Sequence, residues 1–138
     1  MDIGAKIFVA GHRGLVGSAI VRALTSAGYH NLIERTHAEL DLSNRQVTRS
    51  FFEEEKPEYV FLAAAKVGGI MANKTLSADF IRENLAVELS VVDAAYQSGV
   101  KKLLFLGSSC IYPRLATQPI SETEFLSGPL EETNRAYA

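Results

Sequence analysis

Short apolar runs alternate along this chain with longer segments in which apolar residues recur every three or four positions. The apolar runs, together with a shorter stretch after the first helix, predict strands at residues 5–10, 31–35, 59–63 and 102–107. The helical spacing predicts helices at residues 15–27, 44–55 and 78–98. Strand and helix in strict alternation indicate an α/β fold, a Rossmann-like doubly wound parallel sheet truncated after about five strands.

Glycine, proline and capping residues set the predicted ends of these elements. Gly28 and Gly99 are positioned to end the first and third helices. Ser43, with Gln46 three residues later, fits a capping box at the start of the second helix. Residues 66–70 predict a loop, and the chain after residue 107 is rich in loops.

Composition excludes several classes of protein. The chain has 138 residues, 47% of them hydrophobic and 22% charged, with a formal net charge of −2. No basic stripe favours nucleic acid or an anionic membrane, and no apolar stretch is long enough to span a bilayer. The single cysteine, Cys110, excludes an intrachain disulfide, and the lack of a secretory signal favours the cytoplasm.

Three glycines follow the first predicted strand at a spacing of three residues, at Gly11, Gly14 and Gly17. In a strand–turn–helix unit the first glycine permits a tight turn, the second lets the backbone approach a ligand, and the third lets helix and strand pack closely. The helix N-terminus then presents N–H groups and a positive dipole end. This motif predicts a pyrophosphate site, and therefore a dinucleotide.

Other candidate residues also follow predicted strands. They are Arg35 after the second strand, residues 63–69 after the third and residues 108–112 after the last. Parallel sheets bind ligands at the carboxyl ends of their strands, so this distribution supports a dinucleotide site.

The residues after the second strand bear on the choice between NAD and NADP. Glu34 could bind a ribose 2′-hydroxyl, as an acidic residue does in NAD sites. Arg35 follows at once and Arg13 lies in the glycine turn, and two guanidiniums would suit the 2′-phosphate of NADP. Asp41 and Leu42 are placed either beside the adenine or in a turn that leads into the second helix.

Four segments carry a resemblance to a known family. The chain resembles the N-terminal half of the GDP-L-fucose synthases, which are extended short-chain dehydrogenases/reductases. The matching segments read AGHRGLVGS at residues 10–18, LAAAKVGGI at 62–70, LLFLGSSCIYP at 103–113 and LEETNRAYA at 130–138. The glycine turn fits many sugar-nucleotide reductases, whereas the second and third segments are much more specific to this family.

The resemblance implies NADPH-dependent conversion of GDP-4-keto-6-deoxy-D-mannose by two epimerisations and one reduction. It also implies a homodimer, whose interface is formed by the helix at 78–98 and the helix that begins at the catalytic tyrosine. Tyr137 would be the acid for the reduced carbonyl, Ser108 would hydrogen-bond the same oxygen, and Cys110 would be an acid/base for epimerisation. A buried inert thiol is the alternative for Cys110. The expected cofactor contacts are Gly11, His12, Arg13, Gly14, Leu15, Val16, Gly17, Arg35, Asp41, Leu42, Ala63, Ala64, Ala65 and Tyr137.

The chain also departs from the family pattern. His37 stands where the family often has an arginine, and the lysine of its Tyr-x-x-x-Lys pair falls beyond residue 138. We therefore expect residues 1–138 to be an incomplete dinucleotide-binding domain without the substrate domain, inactive by itself and with an unpaired edge on the strand at 102–107. Lys66 contacts either phosphate or solvent, and the three histidines lack metal-ligand spacing.

Two alternative functions remain open at this point. Another extended reductase, epimerase or dehydratase acting on sugar nucleotides would share the glycine turn, although a residue other than Cys110 would then be expected. A non-catalytic module that senses a dinucleotide would keep the glycine turn and lack the catalytic pair.

Overall fold

The computed structural model describes residues Met1–Ala138 and divides them into two compact units. Unit 1 comprises Met1–Ala65 and Leu85–Leu106, and unit 2 comprises Lys66–Asn84 and Gly107–Ala138. No helix of the chain combines the length and apolar character that crossing a membrane requires.

Unit 1 is built on a parallel sheet of four strands. The strands are β1 (Ile7–Ala10), β2 (Leu32–Ile33), β3 (Tyr59–Leu62) and β4 (Lys102–Phe105), in the order β2-β1-β3-β4. Phe8 pairs with Ile33 on one side and with Val60 on the other, which fixes the register of the central strands. The predicted parallel α/β fold is confirmed, with four strands where the sequence suggested about five.

The helices are α1 (Leu15–Ser26), α2 (Arg45–Glu55), α3 (Ile70–Thr75) and α4 (Ser77–Gln97). Alternate residues of β1 explain how they cover the sheet. Ile7 and Val9 pack with Leu24 of α1, whereas Phe8 and Ala10 belong to a larger cluster that includes residues of α2 and α4. Both faces of the sheet are therefore buried, because successive side chains of a strand point to opposite faces.

Phe52 anchors the larger cluster. It is fully buried and lies edge-on to Phe8, with 6.0 Å between ring centroids. Its neighbour Phe51 packs 4.8 Å from the same ring, so α2 is held against β1 by two aromatic contacts.

The start of α2 differs from the prediction. Asn44, not Ser43, is the N-cap, and its side chain accepts hydrogen bonds from the N–H groups of Gln46 and Val47. Ser43 instead donates from its backbone and its hydroxyl to Asp41, at 3.0 and 2.7 Å. The predicted capping box is wrong because Ser43 forms a separate turn with Asp41, which ends just before the N-cap residue Asn44.

Unit 2 contains α3, the beginning of α4 and three 3₁₀ turns, at Ser109–Ile111, Glu122–Glu124 and Glu132–Asn134. The short helix α3 was not predicted. The side-chain amide of Asn73 ties it to the third turn by donating to Asn134 at 2.9 Å. A Cβ atom at Gly68 would lie 2.9 Å from the ring of buried Phe80, so close packing requires glycine there.

Candidate functional site

The glycine turn of unit 1 lies directly on the end of β3. Gly11 has φ of +82°, and a Cβ atom there would stand 2.6 Å from the carbonyl oxygen of Ala63. A Cβ atom at Gly17 would overlap the carbonyl oxygen of Gly11. Both positions therefore require glycine, and the left-handed backbone of Gly11 agrees with the predicted tight turn.

The N-terminus of α1 is open to a ligand. Gly14 is its N-cap and supplies no capping side chain, and the first turn contains no acidic residue. The Leu15 side chain is 90% exposed and Val16 is half exposed. The helix therefore presents its free backbone N–H groups and the positive end of its dipole beside a turn that has no room for side chains. This arrangement fits the pyrophosphate of a dinucleotide.

The segment after β3 completes this part of the site. Ala63 donates its N–H to Ala10 at 3.0 Å, which continues the pairing of β3 with β1 into the glycine turn. Ala64 is half buried against the core, and Ala65 is exposed. The structure therefore brings residues 11–17 and 63–65 together, as their positions after parallel strands predicted.

His12 and Glu34 face each other at this edge of the sheet. The imidazole Nε2 lies 3.8 Å from the Glu34 carboxylate, and the His12 side chain is 11% exposed. The buried Nδ1 of His12 has no hydrogen-bond partner. Sequence reasoning had no signal for this pair, because the two residues lie on different strand ends.

The Arg35 side chain points toward α2 and is held there by contacts with other residues. Its guanidinium donates to Glu55 at 2.7 Å and to the carbonyl oxygen of Glu34 at 2.9 Å, and it lies 5.9 Å from the Phe51 ring centroid. A cavity of about 410 Å³ adjoins it, lined by Arg35, Glu39, Leu40, Gln46, Val47, Ser50, Phe51, Glu54 and Glu55.

Arg13 and Arg35 act on one carboxylate. The pKa of Glu39 is lowered, mainly by hydrogen bonds from the N–H and hydroxyl of Thr36, and the positive charges of Arg35 and Arg13 lower it further. Arg13 is exposed and makes no ion pair. Both arginines therefore contribute positive charge to the surroundings of Glu39.

The predicted contacts at Asp41 and Leu42 have a structural role. The hydroxyl and N–H of Ser43 lower the pKa of Asp41 by hydrogen-bonding its carboxylate. The Leu42 side chain is buried in the core, and its carbonyl oxygen accepts from the Thr48 hydroxyl at 3.2 Å. The structure contains the predicted turn before α2, and the contact of this segment with adenine stays a prediction.

The predicted catalytic residues all belong to unit 2. Ser108 caps the 3₁₀ turn at Ser109–Ile111, and its Oγ accepts the N–H of Cys110 at 3.1 Å. Cys110 is a half-buried free thiol, and Tyr137 is half buried with no side-chain hydrogen bond. Because the Ser108 oxygen acts as an acceptor in this contact, its own proton remains available for donation to another oxygen.

Lys66 has a defined partner. Its ammonium lies 2.7 Å from the Glu83 carboxylate and 5.9 Å from the Phe80 ring centroid. Its N–H donates to Asn84 Oδ1 at 2.7 Å, and its carbonyl oxygen accepts from Asn84 Nδ2 at 3.0 Å. The buried Asn84, which the sequence did not single out, therefore fixes the loop after β3.

Comparison with known proteins identifies close relatives. The chain is 63% identical over 137 residues to GDP-L-fucose synthase 1 of Arabidopsis thaliana, covering 99% of this chain and 42% of the relative. It is 54% identical to GDP-L-fucose synthase of Escherichia coli (strain K12), covering 96% of this chain and 41% of that protein. The chain thus spans about two fifths of the length of these relatives.

Solved structures agree with the sequence relatives. GDP-mannoheptose C4 reductase from Campylobacter jejuni, with NADP bound, matches with a TM-score of 0.94 at 43% identity, over 99% of this chain and 43% of that one. The expected resemblance to an N-terminal portion of the GDP-L-fucose synthases is confirmed, and the comparisons support a nicotinamide dinucleotide as cofactor. A profile of the NAD dependent epimerase/dehydratase family matches residues 7–138, and the chain belongs to that family.

Proposed function

We propose that this chain is the cofactor-binding part of an NADPH-dependent GDP-4-keto-6-deoxy-D-mannose 3,5-epimerase/4-reductase, an enzyme that makes GDP-L-fucose. We also propose that residues 1–138 belong to one dinucleotide-binding domain. The observation that carries the proposal is the close packing of the glycine turn, where a Cβ atom at Gly11 would collide with the backbone after β3 and one at Gly17 with the backbone of Gly11. The GDP-L-fucose synthases among its relatives support the substrate, a GDP-linked sugar.

The arginines favour NADP over NAD. We assign the 2′-phosphate to Arg13, which lies in the glycine turn, and to Arg35, which follows β2, and we assign the pyrophosphate to the open N-terminus of α1. The NADP bound to the Campylobacter jejuni relative supports the same choice.

The residues of unit 2 suit the chemistry of a keto sugar. NADPH supplies the hydride for the reduction when it is bound. Ser108 would donate its free O–H to the carbonyl oxygen, and Tyr137 would deliver the proton that this oxygen takes up. Cys110 would remove or return a proton at a carbon beside the ketone, which acidifies that position.

Ligand binding to the 138-residue chain tests the cofactor site. We expect NADPH and adenosine 2′,5′-bisphosphate to raise the melting temperature, because a ligand that binds only the native state stabilises it, and we expect NADH to raise it less. The variant Arg13→Gln should show a smaller difference between NADPH and NADH, because Arg35 remains. Equal shifts with the two dinucleotides in the wild-type chain would contradict the NADP assignment.

A chimera tests the catalytic residues. This chain would replace the matching segment of the Escherichia coli synthase, to which it is 54% identical. We expect the chimera to consume GDP-4-keto-6-deoxy-D-mannose and NADPH. We also expect Cys110→Ser to slow exchange of substrate protons with deuterated solvent, and Tyr137→Phe to slow NADPH oxidation. An active chimera in which neither substitution changes its own step would refute these roles.

One face of α4 supports a homodimer. Leu85, Leu89, Val92 and Tyr96 recur at helical spacing, and at least half of each side chain is exposed. The edge strand β4 also exposes Leu104 and Phe105. Contiguous apolar surface of this kind marks interaction sites, and we propose that a second copy of the chain covers α4 or β4. A monomer at high concentration in sedimentation would refute this.

A further inference from the structure

Arg35 is oriented by three contacts within unit 1. Its Nη2 lies 2.7 Å from Glu55 Oε1, its Nη1 donates to the carbonyl oxygen of Glu34 at 2.9 Å, and its Cζ lies 5.9 Å from the Phe51 ring centroid. These contacts come from the residue after β2 and from α2, and together they fix both the position and the plane of the guanidinium. A long side chain on a strand end would otherwise sample many rotamers.

Glu55 is shared with a second cation. Its other oxygen, Oε2, lies 2.8 Å from the ammonium of Lys6. The hydrogen bond and charge of Lys6, together with Arg35, lower the pKa of Glu55, so the carboxylate is ionised near neutral pH. The single negative charge of Glu55 therefore lies between the positive charges of Lys6 and Arg35.

The donors of Arg35 are also only partly used. A guanidinium carries five N–H donors, and two of the nitrogens of Arg35 each make one hydrogen bond. Donors thus remain for a further anion. Because Lys6 compensates the charge of Glu55, the carboxylate holds Arg35 in place without cancelling its charge.

We propose that Glu55, itself held by Lys6, is a positioning residue that holds Arg35 in place for binding the 2′-phosphate of the cofactor. The inference rests on the proposed function, which assigns the 2′-phosphate to Arg13 and Arg35. An arginine that is already ordered loses less conformational freedom on binding phosphate, and its planar fork binds two phosphate oxygens at once. Glu55 does not touch the cofactor, and its effect is confined to the 2′-phosphate.

Isothermal titration of the full chain with NADPH, NADH and adenosine 2′,5′-bisphosphate tests the proposal. We expect Glu55→Gln to weaken NADPH and the bisphosphate by about two- to tenfold, which corresponds to ordering one long side chain, and to leave NADH unchanged. Lys6→Met should weaken the same two ligands, because Glu55 would then neutralise Arg35 alone. Glu54→Gln is the matched control, since Glu54 lines the same cavity and makes no ion pair.

The outcomes separate this role from its competitors. Tighter NADPH binding by Glu55→Gln would show that the carboxylate competes with phosphate, and equal weakening of NADPH and NADH would show a structural role. Either result overturns the proposal. It is also overturned if the wild-type chain prefers NADPH over NADH and both variants, Glu55→Gln and Lys6→Met, keep the full preference. A wild-type chain that does not prefer NADPH overturns the 2′-phosphate site as well. If Glu55→Gln fails to melt cooperatively, the titration of Lys6→Met with NADPH and NADH tests the proposal by itself.

Discussion

Replacing Gly11 by alanine should separate the two costs that the glycine turn avoids. A non-glycine residue in the left-handed region costs about 1–2 kcal/mol. The new Cβ atom would also stand 2.6 Å from Ala63 O, 2.7 Å from Ala63 C and 2.8 Å from Ala64 N. These are all backbone atoms, so no side chain can rotate away, and overpacking of this kind adds about 1–3 kcal/mol. We therefore expect Gly11→Ala to lower the free energy of unfolding by about 2–5 kcal/mol.

Gly99 provides the matched control. It has φ of +71° at the end of α4, but a Cβ atom there would meet nothing within 4 Å. Gly99→Ala should therefore cost only the conformational term, about 1–2 kcal/mol, and leave NADPH binding unchanged. Urea denaturation followed by circular dichroism gives both values, and NADPH titration should show weakened binding for Gly11→Ala alone. Equal losses of stability in the two variants would refute the argument that the turn is packed against β3.

Three further predictions concern other parts of the chain. Asn44→Ala should lower the free energy of unfolding by about 1 kcal/mol through loss of the α2 cap, and Ser43→Ala by less than about 0.5 kcal/mol; a larger loss for Ser43→Ala in urea denaturation would contradict the assignment of the cap. Asn84→Ala should speed hydrogen exchange at the amide of Lys66, which loses its acceptor at 2.7 Å, and unchanged exchange would contradict this. The pKa of Glu55 is lowered by Lys6 and then Arg35, so its contribution is complete above its ordinary pKa of 4.5 and is lost as the pH falls below that value. Wild-type protein should thus lose more stability below pH 4.5 than Glu55→Gln does, as measured by urea denaturation at several pH values, and parallel pH profiles would contradict this.

The strands and the longer helices could be predicted because their signals are local. The apolar run at Ile7–Ala10 and the helical spacing in α4 identify their elements within a few residues. The helix α3 could not be predicted, since its six residues, IMANKT, contain no apolar repeat. Its place depends on Asn73, which bonds to Asn134, 61 positions away. The cap of α2 was misplaced by one residue because two adjacent polar residues, Ser43 and Asn44, are both good caps.

The candidate site was predictable where function requires a particular residue type at a particular spacing. The positive φ of Gly11 agrees with the tight turn that the motif suggested, and the collision at Gly17 agrees with the close packing, whereas the contact of Gly11 with Ala63 was not predicted. The charged residues were less predictable. Arg35 binds Glu55, 20 positions away, and the Lys66 backbone binds Asn84, 18 positions away. Nothing in the local sequence indicates which carboxylate or amide a flexible cation will meet.

The sequence by itself therefore determined the order of strands and helices, the parallel sheet, the glycine turn and the family. The elements depend on hydrophobic spacing, the glycine turn on the absence of a side chain, and the family on short motifs, and all of these can be read without knowing the fold. Only the tertiary structure decided that Glu34 faces His12, that Lys6 and Arg35 share Glu55, and that Asp41 closes a turn. The partners of a charged side chain depend on which elements the folded backbone brings within a few ångströms, and sequence spacing does not contain that distance.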